Sequence, residues 1–241
     1  SLSGAPTIST PLPPPPAPPV ALAPVPLALP EPTDIETGSS IATVLESGAT
    51  DAQSASTAEV AEAGAVTEAV IDVGPDAALE DACLKALGIR EIPLLILSHF
   101  HADHVEGLPG LLKRRDVGQV WVSNNTDPIF ESVRVQSWLK GIEIVVATRG
   151  MQSTISNIAI NVLWPQVTTQ QFASNPGDGS SINNSSIAAM ITSPDFSLFA
   201  AGDLEPPVQE LLRADVAHVD IYKVCHHGSK YQDPEFMAHL S

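Results

Sequence analysis

Seven consecutive residues constrain this chain more than any others: Ser98-His99-Phe100-His101-Ala102-Asp103-His104. They follow directly on Leu94-Leu95-Ile96-Leu97, a short apolar run of the kind that forms a fully buried strand. In α/β folds the C-terminal edge of a strand is where ligands tend to bind. The run and the cluster therefore predict a strand that delivers three imidazoles and a carboxylate to one sheet edge. Side chains alternate along extended backbone, so His99 and His101 point the same way and can share one ion. Asp103 and His104 begin the next turn and can reach a second. Imidazole is the commonest biological ligand for mid-row divalent metals, and carboxylate favours harder ones. Three of the seven histidines of the chain fall within six residues, which scattered surface histidines do not do. Two further stations complete the set: Gly202-Asp203, and Cys225-His226-His227-Gly228-Ser229 near the C-terminal end. We read the three as ligand sets for a pair of divalent metal ions, with metal-assisted hydrolysis as the chemistry.

Charge does not point to a polyanion. The formal net charge is −17, and the first basic residue is Lys85. Most of the acidity belongs to the front of the chain, and from Lys85 onward the balance is only mildly acidic. Phosphate binding is carried by basic residues, so this balance does not favour a polyanionic substrate. Bound metal would add local positive charge that the count omits. Cys83 and Cys225 form no CxxC pattern, which argues against a disulfide framework or a zinc ribbon. Cys225 reads as a small buried hydrophobe at a strand end rather than a ligand. The apolar stretch at residues 17–30 is too short and too proline-broken to span a membrane, and it lacks the basic region of a signal peptide. The chain is expected to be soluble, with no membrane insertion.

Two domains of texture follow in order. Residues 1–64 are low in complexity, with twelve prolines in the first 32 residues. Such sequence prefers extended polyproline II and builds no core. It is expected to be a disordered spacer, with at most a frayed helix at 54–63. Residues 65–241 alternate in pattern. Strands are predicted at 66–73, 94–97, 119–123 and 142–147. Helices are predicted at 77–87, with Asp76 as cap and Gly88 as stop, at 108–115, and at 127–140, with Pro128 in the first turn. A hairpin is predicted about Ser156-Asn157, then a long exposed loop at 166–184 and a strand pair at 186–192 and 197–201. A helix at 206–212, a strand at 220–225 and a helix from 234 close the chain. The fold class is α/β, built as a layered domain. Asp72 also follows a predicted strand, so four polar stations can converge on one edge of a sandwich.

His99, His101, Asp103 and His104 form an HxHxDH loop, and on it the chain resembles the metallo-β-lactamase superfamily. Asp72, Asp203 in Ala201-Gly202-Asp203, and a late histidine at 226 or 227 match further stations of that family. Asn183-Asn184-Ser185-Ser186, Ala201-Gly202-Asp203-Leu204-Glu205 and Lys223-Val224-Cys225-His226-His227-Gly228-Ser229 resemble the extracytoplasmic metallo-β-lactamase-like domain of ComEC DNA-uptake channel proteins. Ile71-Asp72-Val73-Gly74-Pro75-Asp76 and Tyr231-Gln232-Asp233-Pro234 are similar to actinobacterial members. The resemblance implies an αββα sandwich, expected to be incomplete at both ends because an Asp-Val-Gly-Gln-Gly-Asp-like segment and the later strands of the family are missing. It implies an extracytoplasmic domain of a membrane protein, whose channel part is not in this sequence. It also implies a nuclease that degrades one DNA strand during uptake, with two divalent ions, manganese or zinc. His99 and His101 would serve one ion, Asp103 and His104 the other, and Asp203 both. His226 or His227 would complete the second site. Asp103 is the catalytic candidate, Asp72 an orienting residue, and Asn184, Ser229 and Lys230 the substrate-contacting candidates. Asn183 or Asn184 stands where many relatives place a third histidine, which favours a harder ion such as manganese. Two alternatives stand beside this reading: a hydrolase of small phosphodiesters or lactones, and a non-catalytic domain that grips DNA or a partner.

Overall fold

Leu94 and Ile96 leave their strand on one side and Leu95 and Leu97 on the other, and both sides are buried. A strand covered on both faces needs a layer above and a layer below. The computed structural model of the chain, which describes residues 43–45, 66–167 and 180–240, shows those layers. In order the elements are β1 (Thr43–Leu45), β2 (Val66–Ile71), α1 (Ala77–Ala86), β3 (Ile89–Leu97), α2 (Ala102–Val105), α3 (Leu108–Leu111), β4 (Asp116–Val122), α4 (Ile129–Trp138) and β5 (Glu143–Val146). The second half comprises β6 (Gln152–Ile155), β7 (Ile158–Trp164), α5 (Ser180–Asn183), β8 (Ala188–Thr192), β9 (Ser197–Ala200), α6 (Pro206–Leu212), β10 (Ile221–Lys223), a 3-10 turn at His226–Gly228, and α7 (Pro234–Leu240).

The strands form two five-stranded sheets, ordered β1-β2-β3-β4-β5 and β10-β9-β8-β7-β6. In the first, β2, β3, β4 and β5 run parallel and β1 is antiparallel at the edge. In the second, only β10 and β9 are parallel. Alternation assigns the faces. Ala69, Ile71, Leu94, Ile96 and Trp121 of the first sheet meet Ile160, Val162, Ala189, Ile191 and Leu198 of the second. On the outer face of the first sheet, Val70, Leu95, Leu97 and Val120 pack with Leu84, Leu108, Leu111 and Val135 of α1, α3 and α4. On the outer face of the second, Phe199 and Ala188 pack with Val208, Leu212 and Phe236 of α6 and α7. The result is an αββα sandwich. Each aliphatic side chain buried in it contributes about 1.5–3 kcal/mol.

Local chemistry explains where the elements differ from the pattern read in the sequence. Asp76 caps α1, accepting from the amides of Ala78 and Leu79 at 2.7 and 2.9 Å. β3 is nine residues long rather than four, because pairing continues past Pro93, to Glu91 with β4 and to Ile89 with β2. Helix α3 ends at Leu111 instead of 115. Arg114 turns left-handed (φ 63°), and the Arg115 guanidinium takes the Gly110 and Lys113 carbonyls. The loop expected at 166–184 contains a helical turn, α5; its residues 168–179 lie outside the described residues. Within the segment expected to be disordered over 1–64, Thr43–Leu45 is a short β-branched and apolar stretch that pairs with β2. The rest of that segment, including the frayed helix at 54–63, lies outside the described residues. Among the described residues, no helix is long and apolar enough to cross a membrane.

Candidate metal centre

The site begins at the ends of β2 and β3. Asp72 follows β2 in left-handed backbone (φ 57°), a conformation that costs a residue with a Cβ about 1–2 kcal/mol. That turn drives its carboxylate inward. Oδ1 accepts from the Ser98 amide at 2.7 Å, and Oδ2 accepts from the Ser98 hydroxyl at 2.9 Å and lies 2.9 Å from His104 Nδ1. With Nδ1 committed to Asp72, His104 can present only Nε2 to the cluster. The α2 turn that holds Asp103 and His104 is pressed against this loop. A Cβ on Gly107 would stand 1.8 Å from the Val73 carbonyl oxygen, so glycine alone allows the approach.

The second sheet brings the rest. Gly202 follows β9 with φ 51°, and a Cβ there would meet Ser186 and Ser98 at 2.7–3.0 Å. The Asp203 amide donates to Ser186 Oγ at 3.1 Å, which fixes the carboxylate against the histidines. After β10, three successive residues, His226, His227 and Gly228, adopt positive φ of 49°, 52° and 77°. The strain is held by hydrogen bonds from His226 N to Gly202 O (3.1 Å), Ser229 N to His226 O (2.8 Å) and Gln232 Nε2 to Cys225 O (2.8 Å). This reversal separates the two histidines. His227 Nε2 lies 3.1 Å from Asp103 Oδ2, 3.4 Å from Asp203 Oδ2 and 3.2 Å from His104 Nε2. His226 Nδ1 instead lies 3.8 Å from Glu205 Oε1.

Four groups therefore meet. One donor atom each from Asp103, His104, Asp203 and His227 lies within 4.8 Å of the others. His99 and His101 stand beside them, with His99 Nε2 3.0 Å from His101 Nδ1 and 3.9 Å from Asp203 Oδ2. His99 Nδ1 faces the hydroxyls of Ser98 and Ser186 at 3.1 and 3.2 Å. Asn183 and Asn184 are buried against Glu205: Asn183 Nδ2 donates to Glu205 Oε1 at 2.9 Å, and Asn184 Oδ1 accepts from the Glu205 amide at 3.0 Å. Ser229 Oγ accepts from the Tyr231 amide at 3.2 Å, and exposed Lys230 lies over the Tyr231 ring. Cys225 is buried outside the donor group, its thiol pushed up to about 11 chiefly by burial. Ser98, Ser186 and Glu205 stand inside the segments quoted from the sequence but are given no role there, because serine and glutamate carry no signal that separates such a role from an ordinary surface one.

The electrostatics suit a cation. Burial opposes charge on His104, but the carboxylates of Asp72 and Asp203 outweigh it and hold its pKa at about 10. Hydrogen bonds to Asp103 and Asp203 raise His227 to about 9. Burial would raise Asp103, yet the His227 and His104 imidazoles bring it to about 2. Asp203 likewise falls below the carboxylate range despite its burial. Its second oxygen, Oδ1, is buried with no hydrogen-bond partner. An orphaned anionic oxygen, with two imidazole nitrogens 3.2 Å apart facing the same carboxylate, fits a divalent ion taking nitrogen and oxygen donors.

Residues 63–174 match the model of the metallo-beta-lactamase superfamily. ComE operon protein 3 of Bacillus subtilis (strain 168) is 29% identical over 151 residues. That alignment covers 61% of this chain but 18% of the relative, so the chain spans under a fifth of its length. Among solved structures, a HARLDQ-motif metallo-beta-lactamase from Cronobacter sakazakii is similar at 18% identity and a TM-score of 0.39, over 58% of this chain and 54% of that one. The metallo-beta-lactamase fold protein YhfI from Bacillus subtilis is similar at 13% identity and 0.41, over 65% and 58%.

Proposed function

We propose that the chain is a metal-dependent hydrolase, and specifically a nuclease domain that cleaves a DNA strand. One observation carries the hydrolase reading. Asp103, His104, Asp203 and His227 come from three distant stretches and both sheets, yet their donor atoms share one neighbourhood. These four would hold one ion, and His99 and His101, facing Asp203, would hold a second. A bound divalent ion supplies a deprotonated water at neutral pH and positive charge against the oxygens of a phosphodiester. The protein side of the work is orientation. Asp72 and Ser98 fix His104, and Ser186 fixes both His99 and Asp203. Asp103, partly exposed and held ionised, is the donor that substrate reaches most readily. With no third imidazole beside His99 and His101, manganese is the ion we expect over zinc.

The resemblance of the Asn183–Ser186, Ala201–Glu205 and Lys223–Ser229 segments to the ComEC domain supports DNA as substrate, and an extracytoplasmic setting beside a membrane channel. The test is metal analysis of the purified protein, followed by a single-stranded DNA cleavage assay with each divalent metal. We expect manganese-stimulated cleavage that Asp103→Ala abolishes. Two equivalents of bound metal with no cleavage under any metal would end the nuclease reading.

A further inference from the structure

The overall acidity of the chain conceals one strongly cationic place. A recess at the start of β3, the opposite end of that strand from His99, is lined by Lys85, Arg90, Lys113, Arg114 and Arg115 together with Asp81. Five of the eleven lysines and arginines in the sequence gather there. They come from the last turn of α1, the first residues of β3 and the α3–β4 connection. Arg115 is the fixed part. Its side chain is 4% exposed and donates to the carbonyls of Ile89, Asp81, Gly110 and Lys113 and to Asp81 Oδ1, all at 3.0–3.1 Å. Lys113 Nζ shares Asp81 at 2.9 Å. Lys85, Arg90 and Arg114 remain exposed, and none of them has an ion-pair partner among the described residues. Glu91 and Asp116 oppose each other across β3 and β4 but do not line the recess.

Five cations against one carboxylate repel one another unless an anion joins them. Guanidinium forks and an ammonium point charge match the oxygens of phosphate groups. We propose that this recess binds the phosphates of a nucleic-acid strand. The choice of a strand over a small phosphate compound rests on the nuclease reading above; the phosphate chemistry does not. β3 separates recess and metal centre by about 26 Å of extended chain. At about 3.4 Å per phosphate in a stacked strand, and more in an extended one, about eight nucleotides or fewer span that distance, within the reach of a single substrate.

The test separates this site from catalysis. A labelled oligothymidylate of about twenty nucleotides is titrated onto the full chain in chelator, with anisotropy read over a range of salt. K85A/R90A/R114A is expected to weaken binding about tenfold or more. It should also reduce the slope of log K against log salt by about 2, since each single-strand phosphate contact contributes about 0.7. R90K/R114K is expected to retain both. If the triple variant does not fold, single alanine substitutions carry the same test, each lowering the slope by about 0.7. Unchanged affinity and slope would overturn the proposal, and so would binding of inorganic pyrophosphate with no binding of the oligonucleotide. Loss of strand binding in the triple variant of a protein that never cleaves DNA leaves this site standing and removes the nuclease reading. Cleavage by a protein whose strand binding ignores the triple substitution does the reverse.

Discussion

His104 and His99 are imidazoles of one seven-residue stretch, 2% and 0% exposed, and the fold gives them opposite characters. His104 lies between Asp72 and Asp203 and binds its proton to about pH 10. His99 faces two hydroxyls and another imidazole, with Asp203 only at 3.9 Å, and burial drives its pKa well below the usual value. Burial is equal, so the carboxylates decide. One half of the centre thus holds a full donor group of two imidazoles and two carboxylates. The other holds two neutral nitrogens that borrow an edge of Asp203. A divalent ion is expected to enter the first half more tightly than the second.

The largest test of that difference removes the shared residue. Asp203→Ala is expected to weaken the first equivalent of manganese or zinc by more than about 100-fold and to eliminate the second, read by calorimetric titration. His227→Ala should damage the tight step, and His99→Ala only the weak one. Equal losses from the two would break the comparison. Asp72→Asn comes next. It leaves all four donors in place but weakens the grip on His104 Nδ1, and an outer partner of this kind is worth about 10–100-fold in metal affinity. The proton balance gives a smaller, signed effect. Metal needs neutral imidazole, whereas His104 and His227 hold protons to about 10 and 9 without it. Metal uptake near pH 7 should therefore release protons from the tight half, and affinity should climb between pH 7 and 9. Titration in buffers of different ionisation enthalpy measures the release. Uptake at the His99 and His101 half, where burial lowers both pKa values, should release none.

Some of this was legible in the residues and some was not, for reasons that can be named. The buried strand ahead of His99 is readable because apolar runs and strand-end polar clusters are local signals. The hairpin about Ser156-Asn157 is readable for the same reason, and Ile155 pairs with Ile158 across it. The choice between His226 and His227 is not local. It depends on three consecutive left-handed residues, of which only Gly228 advertises that conformation. The short α3 depends on a guanidinium that arrives from beyond its end. The cationic recess is the clearest omission. Lys85 and Arg115 lie far apart in sequence and meet through the parallel pairing of β3 with β4, so a charge count averages them into an acidic chain.

The same lesson holds for carboxylates away from the centre, and it yields the smallest effect. Asp72 and Glu80 are each 5% exposed. The pKa of Asp72, matched by His104 and Ser98, is lowered despite burial. Glu80 on α1 has an oxygen without a partner, and burial, only partly offset by Arg115, pushes it up to about 7. A raised carboxyl pKa means that the folded state keeps its proton longer than the unfolded chain does. Below about pH 4.5 the group is neutral in both states and costs nothing. Stability then falls as pH rises toward 7, and the deficit persists above it. Glu80→Gln keeps the shape without the charge. It is expected to raise stability by about 1–2 kcal/mol at pH 8 and by almost nothing at pH 4, measured by denaturant unfolding at the two pH values. An equal gain at both would show that packing, rather than the unpaired charge, sets the cost at Glu80, and partner chemistry would then govern only the metal centre.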